Sequence, residues 1–263
     1  MPKHRRDDML TRITRQAGDF VLRSQRKIAR IQYKEDKQKS AATNIDVAAE
    51  KMIIRTIKRF FPNDGIIGEE LGATQGSSEY LWIIDPIDGT ANYILSLPLY
   101  CTTVALLKNG HVVTGAIYDP TRREMFFAKR NRGAYLDGKR LRLKNSVKLS
   151  KATGSFSSTD PKKGIQIFTH VASELRKPRY LGSTAISLAY VASDRLQTSI
   201  FYGVNSWDAA SGVLLVEEAG GIARTFDYRK LKLHSQKKMN ILVGRSGIVR
   251  ELSRVLRKTP SLI

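Results

Sequence analysis

The segment LWIIDPIDGTANY, residues 81 to 93, carries two carboxylates, Asp85 and Asp88, out of an apolar run and straight into Gly89 and Thr90. Three further places set acids where a folded core would not want them. Glu69 and Glu70 follow the apolar GIIG, Asp208 comes just after Trp207, and Asp46 heads an amphipathic segment. Each has an ordinary structural explanation. Asp46 and Asp208 would serve as helix N-caps, Asp85 and Asp88 as turn formers, and Glu69 as the surface partner of one of many lysines. Together they point further. A buried carboxylate is costly unless it is paired or bound to metal. Acids converging at strand and helix ends would make a hard-oxygen site, suited to Mg2+ or Mn2+ rather than to zinc or copper. With four histidines and one cysteine, the chain has little from which to build a soft-ligand site.

The spacing of DPID also has mechanical sense. Pro86 fixes its own φ near about −65°, so a tight turn there would aim Asp85 and Asp88 at one point and offer the Ile87 carbonyl as a further oxygen. Gly89 allows close backbone approach, and a helical turn starting there would point free N–H groups at an anion. A metal cluster beside such a nest is what phosphate chemistry requires.

Elements must bring these residues together. Met9, Leu10, Ile13, Ala17, Val21 and Leu22 recur at three- and four-residue spacing and predict a first helix. The lysine-rich QYKEDKQKSAATN that follows reads as a loop or a short ribbon. A second helix runs from near Asp46 to about Phe60, broken by Pro62 and Gly65. From Ile66 the period changes to that of strands, with a hairpin turn at Asn109-Gly110 and further turns at Arg132-Gly133 and Asp137-Gly138. Past a soft boundary at 147/148, helices alternate with strands: KGIQIFTHVASEL, TAISLAYVASDRL, SWDAASGVLLVEEAGG and GIVRELSRVLRK read as helices, TSIFYGV and MNILVGR as strands. Asp208 is expected to cap the third of these helices. An antiparallel-rich first part, 1–147, and an alternating second part, 148–263, predict a mixed α/β sandwich folded as one compact unit.

Composition narrows the class. The 263 residues are 41% hydrophobic and 26% charged, ordinary for a globular protein. No apolar run reaches membrane-spanning length, the N-terminal MPKHRRDDMLTRITRQ lacks a signal-peptide core, and the lone Cys101 excludes a disulfide framework. A cytoplasmic protein is the expectation. Cys101 is read as a buried structural thiol rather than a nucleophile. The unusual quantity is a net charge of +21, from 45 basic and 24 acidic residues. It favours anionic partners, whether phosphorylated metabolites, nucleic acid or acidic membranes.

Three motifs, IGEE, WIIDPIDGTANY and SWDAASGVLLVEEAGG, in this order and at these separations, resemble those of the inositol monophosphatase family, the lithium-sensitive, Mg2+-dependent sugar-phosphate phosphatases. The resemblance runs from about Asp46 to near Gly244. It implies a layered α-β-α-β-α sandwich of the inositol monophosphatase and fructose-1,6-bisphosphatase type, a homodimer, and two to three Mg2+ ions, with Mn2+ as the alternative. Glu69, Asp85 and the Ile87 carbonyl would hold one ion, Asp85, Asp88 and Asp208 a second, and Glu70 would lie beside a weaker third. Asp46 and Thr90 would activate the attacking water, with Glu69 counted among the catalytic groups. The backbone N–H groups of Gly89 and Thr90 would hold phosphate. Gly182, Ser183, Thr184 and Ala185, in the stretch LGSTA, would line the substrate pocket together with Asp88 and Asp208.

The match departs at three points. The family's substrate-contacting glutamate, seven residues before the Trp-Asp aspartate, is Phe201 here. Ser40 stands where an acid is common, and Ala91 replaces a second threonine. The substrate is therefore open among inositol 1-phosphate, fructose 1,6-bisphosphate, histidinol phosphate and 3′-phosphoadenosine 5′-phosphate, with Ser183 or Asn205 as alternative hydroxyl contacts. The resemblance also admits a role of another class, RNA- or transcription-associated binding on a phosphatase scaffold.

Overall fold

The computed structural model describes residues 5–27, 31–33, 41–143, 147–231, 233 and 238–258. Helices α1 (Arg6–Ser24) and α2 (Asn44–Phe60) form an outer layer. Between them β1 (Ile31–Tyr33) and β2 (Ala41–Thr43) pair antiparallel, so the stretch read as loop or ribbon is a ribbon at its ends. Residues 34–40, with Ser40, lie outside the described residues. Met9, Leu10, Ile13 and Ala17 of α1 and Ile53 and Ile57 of α2 are the apolar stripe foreseen from periodicity. They pack against Trp82, Ile84, Val104 and Leu106 of the sheet below.

That sheet contains β3 (Gly65–Gly68), β4 (Gly72–Thr74), β5 (Tyr80–Asp88), β6 (Cys101–Lys108), β7 (His111–Asp119), β8 (Glu124–Lys129), β9 (Gly133–Leu136) and β10 (Lys139–Leu141), in the spatial order β10-β9-β8-β7-β6-β5-β3-β4. All its pairs are antiparallel except β3 with β5. The expected β6–β7 hairpin turns at Asn109 and Gly110, both at positive φ. A short helix, α3 (Thr90–Ile94), follows β5 directly.

The second sheet has the order β12-β11-β13-β15-β14, from β11 (Thr153–Ser158), β12 (Lys177–Arg179), β13 (Thr198–Val204), β14 (Ile222–Thr225) and β15 (Met239–Gly244). Helices α5 (Thr184–Ala192) and α6 (Ser206–Glu218) lie between the two sheets, which is why their sequences are apolar nearly all round. Helices α4 (Pro161–Ala172) and α7 (Ser246–Arg257) cover the outer face of the second sheet. The layers thus run α-β-α-β-α. The inter-sheet core joins Ile83, Cys101 and Ile117 to Ala185, Leu214 and Val243, residues from both sides of the 147/148 boundary. Among the described residues no helix is long and apolar enough to cross a membrane.

Candidate active site

The predicted turn at Pro86 is a bulge instead. Asp85 pairs with Thr103 and Asp88 with Cys101, so three steps along β5 match two along β6. Proline has no N–H to give the ladder. The Pro86 carbonyl is taken up by the Thr102 hydroxyl (2.8 Å), and Asp85 Oδ1 accepts the Ile87 N–H (2.9 Å). The extra residue re-aims Asp85. Beside it, the Glu69 N–H donates to the Ile84 carbonyl (3.2 Å), continuing the β3–β5 pairing past the end of β3 and bringing Glu69 alongside. Asp208 arrives from α6. Carboxylate oxygens of Glu69, Asp85 and Asp208 all lie within 4.8 Å of one another.

Asp46 and Asp208 are positioned by one device. Neither is an N-cap: the caps are Thr43 and Asn205, and each aspartate sits at the third helical position. Asp208 therefore does not cap its helix as expected. Each turns one oxygen back to its cap's backbone. Asp46 Oδ2 accepts the N–H of Thr43 (2.8 Å), and Asp208 Oδ2 that of Asn205 (3.0 Å). Asp46 Oδ2 also accepts the Thr43 hydroxyl, while Oδ1 faces Thr90 Oγ1 at 3.3 Å. The Thr90 hydroxyl lies 3.0 Å from the Ile87 carbonyl, so Asp46 and the carbonyl compete for its single proton.

Asp88 stands apart from the three-carboxylate group. Its Oδ2 accepts the Ser183 hydroxyl and the Ala185 N–H (2.8 Å), and its Oδ1 the Thr184 N–H (3.1 Å), at the start of α5. The structure thus brings Ser183, Thr184 and Ala185 directly onto Asp88. Asn92 ties the two segments together, donating to the carbonyls of Leu99 (2.7 Å) and Leu181 (2.8 Å). Gly89 has φ +93°, and a Cβ there would meet the Leu99 carbonyl oxygen at 2.8 Å, so only glycine passes between the segments.

Electrostatics set this region apart. Asp46 and Asp85 are each 1% exposed. Among the described residues, no lysine, arginine or histidine forms an ion pair with Asp85, Asp88 or Asp208. Burial first, then the neighbouring Glu69 carboxylate, raises Asp85 and Asp208 well above the usual carboxylate range. Burial also pushes Asp46 up to about 6, and raises Asp88 against the lowering effect of its hydrogen bonds. Converging carboxylates, with Asp85 and Asp208 held above the usual range, match the donor set of a hard divalent cation such as Mg2+.

Two residues fall differently from the sequence reading. Phe201 is fully buried in the inter-sheet core, so its side chain is packing rather than a pocket wall. Glu50 was passed over. It is wholly buried, and accepts the backbone N–H groups of Glu70 and Leu71, each at 2.9 Å. The available signal was its place four residues after Asp46, on the apolar side of α2 with Ile53.

The model of the inositol monophosphatase family matches residues 4–255. A Xylella fastidiosa protein named Nus factor SuhB is 33% identical over 258 residues, 95% of this chain and 93% of its own. A Thermotoga maritima protein named fructose-1,6-bisphosphatase/inositol-1-monophosphatase is 32% identical over 229 residues, 87% and 88% of the two chains. Of solved structures, the Thermotoga maritima IMPase superposes with a TM-score of 0.89 at 28% identity, covering 97% of this chain and 98% of that one.

Proposed function

The chain belongs to the inositol monophosphatase family, and we propose that it is a Mg2+-dependent phosphatase that hydrolyses small phosphate monoesters with water as the nucleophile. One observation carries this reading: carboxylates from three elements, Glu69 after β3, Asp85 on the bulged end of β5 and Asp208 on α6, converge within 4.8 Å, and the same β5 end leads into Thr90, whose hydroxyl faces Asp46. Glu69, Asp85 and Asp208 would hold Mg2+, with the Ile87 carbonyl, Asp88 and Glu70 alongside. When bound, the metal supplies Lewis acidity, acidifying water and neutralising charge on the phosphoryl and leaving oxygens.

The chain's own groups do the rest. Thr90 Oγ1 would accept a hydrogen bond from the attacking water, and as the new O–P bond forms the water's proton passes to Oγ1 while the hydroxyl's own proton passes to Asp46 Oδ1. That water is thereby oriented and made more nucleophilic. A carboxylate raised to about 6 is a better base near neutral pH than an ordinary aspartate. The N–H groups of Gly89 and Thr90 hold phosphate oxygens, and Gly182 to Ala185 form the substrate's other wall. No side chain needs to carry the phosphoryl group.

Phosphate release is measured from inositol 1-phosphate, fructose 1,6-bisphosphate, histidinol phosphate and 3′-phosphoadenosine 5′-phosphate with Mg2+. Hydrolysis of at least one, inhibited by Li+, is expected. Folded protein that binds Mg2+ and hydrolyses none of them would overturn the proposal. A dimer in solution belongs to the same reading and is checked by sedimentation.

A second reading, association with RNA or the transcription machinery, is favoured by the +21 charge and by similarity to proteins named Nus factor SuhB at 33–36% identity. RNA binding that weakens steeply with salt is its expected signature, and a weak, salt-independent response would sink it.

A further inference from the structure

We infer that Glu50 is a positioning residue for the metal site: its buried carboxylate sets where Glu69 sits, and through α2 it locks Glu69 to the Asp46–Thr90 pair. The inference rests on the proposed Mg2+ site.

Four observations carry it. The first is the bonding. Glu50 Oε2 accepts the N–H of Glu70 and Oε1 that of Leu71, both at 2.9 Å. Two parallel bonds from one rigid carboxylate fix the orientation of the turn that leaves β3, and Glu69 is the residue immediately before it. The second is burial. Glu50 is 0% exposed, and a carboxylate is kept in such a place only where its bonds demand one. A hydrophobic residue at this position would fill the space but leave two N–H groups without acceptors.

The third is Gly68. It has ordinary backbone angles, so its identity is not set by conformation. A Cβ on it would come 2.0 Å from Glu50 Oε1 and 2.5 Å from Cδ. The carboxylate occupies the very space a side chain at 68 would need. This explains the glycine just before the paired glutamates as a docking surface for Glu50. The fourth is register. Glu50 lies one helical turn after Asp46, so both point from the same face of α2. Asp46 reaches the Thr90 hydroxyl and Glu50 reaches the Glu69–Leu71 turn. A single rigid helix therefore spans the water-activating pair and a metal-ligand turn that come from different strands.

Supporting partners of metal ligands typically control affinity by about 10- to 100-fold. Two variants test the role. Glu50→Gln keeps size and shape, but its NH2 group faces an N–H donor and loses one of the two bonds. Glu50→Asp keeps the charge and withdraws the carboxylate by one methylene. Mg2+ binding is read by calorimetry without substrate, together with kcat as a function of Mg2+ concentration and thermal unfolding of the metal-free protein. Both variants are expected to bind Mg2+ about tenfold or more weakly, to need correspondingly more Mg2+ for half-maximal activity, and to recover most of kcat at saturating Mg2+. Gly68→Ala should reproduce the same shift in Mg2+ requirement by pushing the carboxylate aside. Wild-type Mg2+ affinity in the Glu50 variants, or a loss of metal-free stability with Mg2+ affinity per folded molecule unchanged, would overturn the inference and leave the phosphatase proposal standing. Wild-type protein that binds no Mg2+ would remove the proposed function itself.

Discussion

Asp64 and Asp85 are each 1% exposed and both are served by β5, yet they are completed in opposite ways. Asp64 is finished from within. Arg6 clasps it through Nε (2.8 Å) and Nη2 (3.0 Å), Ser78 donates at 2.7 Å, and the Trp82 indole N–H at 2.9 Å. Arg6 is itself stacked on Tyr80, 3.9 Å from the ring centre. These partners outweigh burial and hold Asp64 below the usual carboxylate range. Three residues further along β5 from Trp82, Asp85 faces other carboxylates and, among the described residues, pairs with no cation, and burial drives it up. A fold that neutralises one buried aspartate from within and not the other is what the proposed ligand-completed site at Asp85 would require. That contrast, more than the acid count, separates a structural carboxylate from a functional one.

The sharpest way to break the comparison is to neutralise each member. Asp85→Asn is expected to lower phosphate release by about a thousandfold or more. The metal-free variant should be at least as stable as the wild type, because it removes a charge from a repelling group. Catalysis surviving in this variant would show that the Glu69–Asp85–Asp208 cluster is not the site. Asp64→Asn should do the reverse. Stripping a buried partner from Arg6 costs about 2–4 kcal/mol, discounted because Arg6 is about a third exposed. Turnover per folded molecule should stay near wild type. Denaturant unfolding and active-site-normalised kinetics separate the two effects.

A subtler test is pH. In metal-free protein the cluster carboxyls bind protons in the folded state at pH values where the unfolded chain, with carboxyls near 4, does not. Stability should therefore rise as pH is lowered, and for Asp46 the gain builds as pH falls through about 6 toward the unfolded value. Mg2+ must displace the protons of Asp85 and Asp208, so the gain in Tm from Mg2+ should be largest at alkaline pH and shrink as pH falls. Asp64 contributes the opposite sign. Its stabilisation is full above the unfolded carboxyl value and is lost only as pH falls through its lower folded one, so it is silent in this window. A Mg2+-induced Tm gain that does not change between pH 8 and pH 5.5 would contradict the assignment of the raised carboxyls to the metal.

The same contrast explains what could be read from the chain alone. The stripes of α1 and α2 and the Asn109-Gly110 hairpin follow from local periodicity and turn chemistry, which the folded packing leaves unchanged, whereas the α-β-α-β-α order rests on the family resemblance. The acids stood out because each interrupts an apolar run. Their local geometry did not stand out. Thr43 and Asn205 compete with Asp46 and Asp208 for the cap on nearly equal terms, and only the fold decides that the aspartates take the third position. The bulge at Pro86 depends on where Thr102 and Cys101 pair, and no residue of β5 encodes that. β4 and β12 are three residues each and largely exposed, held by their neighbours rather than by a pattern of their own. Glu50 was hidden because a charged residue on a helix reads as solvent-facing until its acceptors are placed. At Phe201 the loss of the family's glutamate was legible, but which face of β13 is packed was not.

The smallest expected effect concerns Cys101, whose Sγ lies 3.8 Å from Asp88 Oδ2, inside the region called functional. Proximity to a proposed active site would make a thiol a candidate nucleophile, but its surroundings argue otherwise. Burial, then the carboxylates of Asp88 and Asp85, push the thiol well above its usual value, whereas reactive cysteines need a cationic, partly exposed setting that stabilises the thiolate. Here the S–H is at most a weak donor to Asp88, alongside the stronger Ser183 hydroxyl and the backbone N–H groups of Thr184 and Ala185. Cys101→Ala should therefore cost about 1 kcal/mol of stability for the small cavity and change kcat by no more than about threefold. A loss approaching that of Asp85→Asn would mean that the thiol takes part in the chemistry, and that the division between internally completed and ligand-completed groups has been drawn in the wrong place.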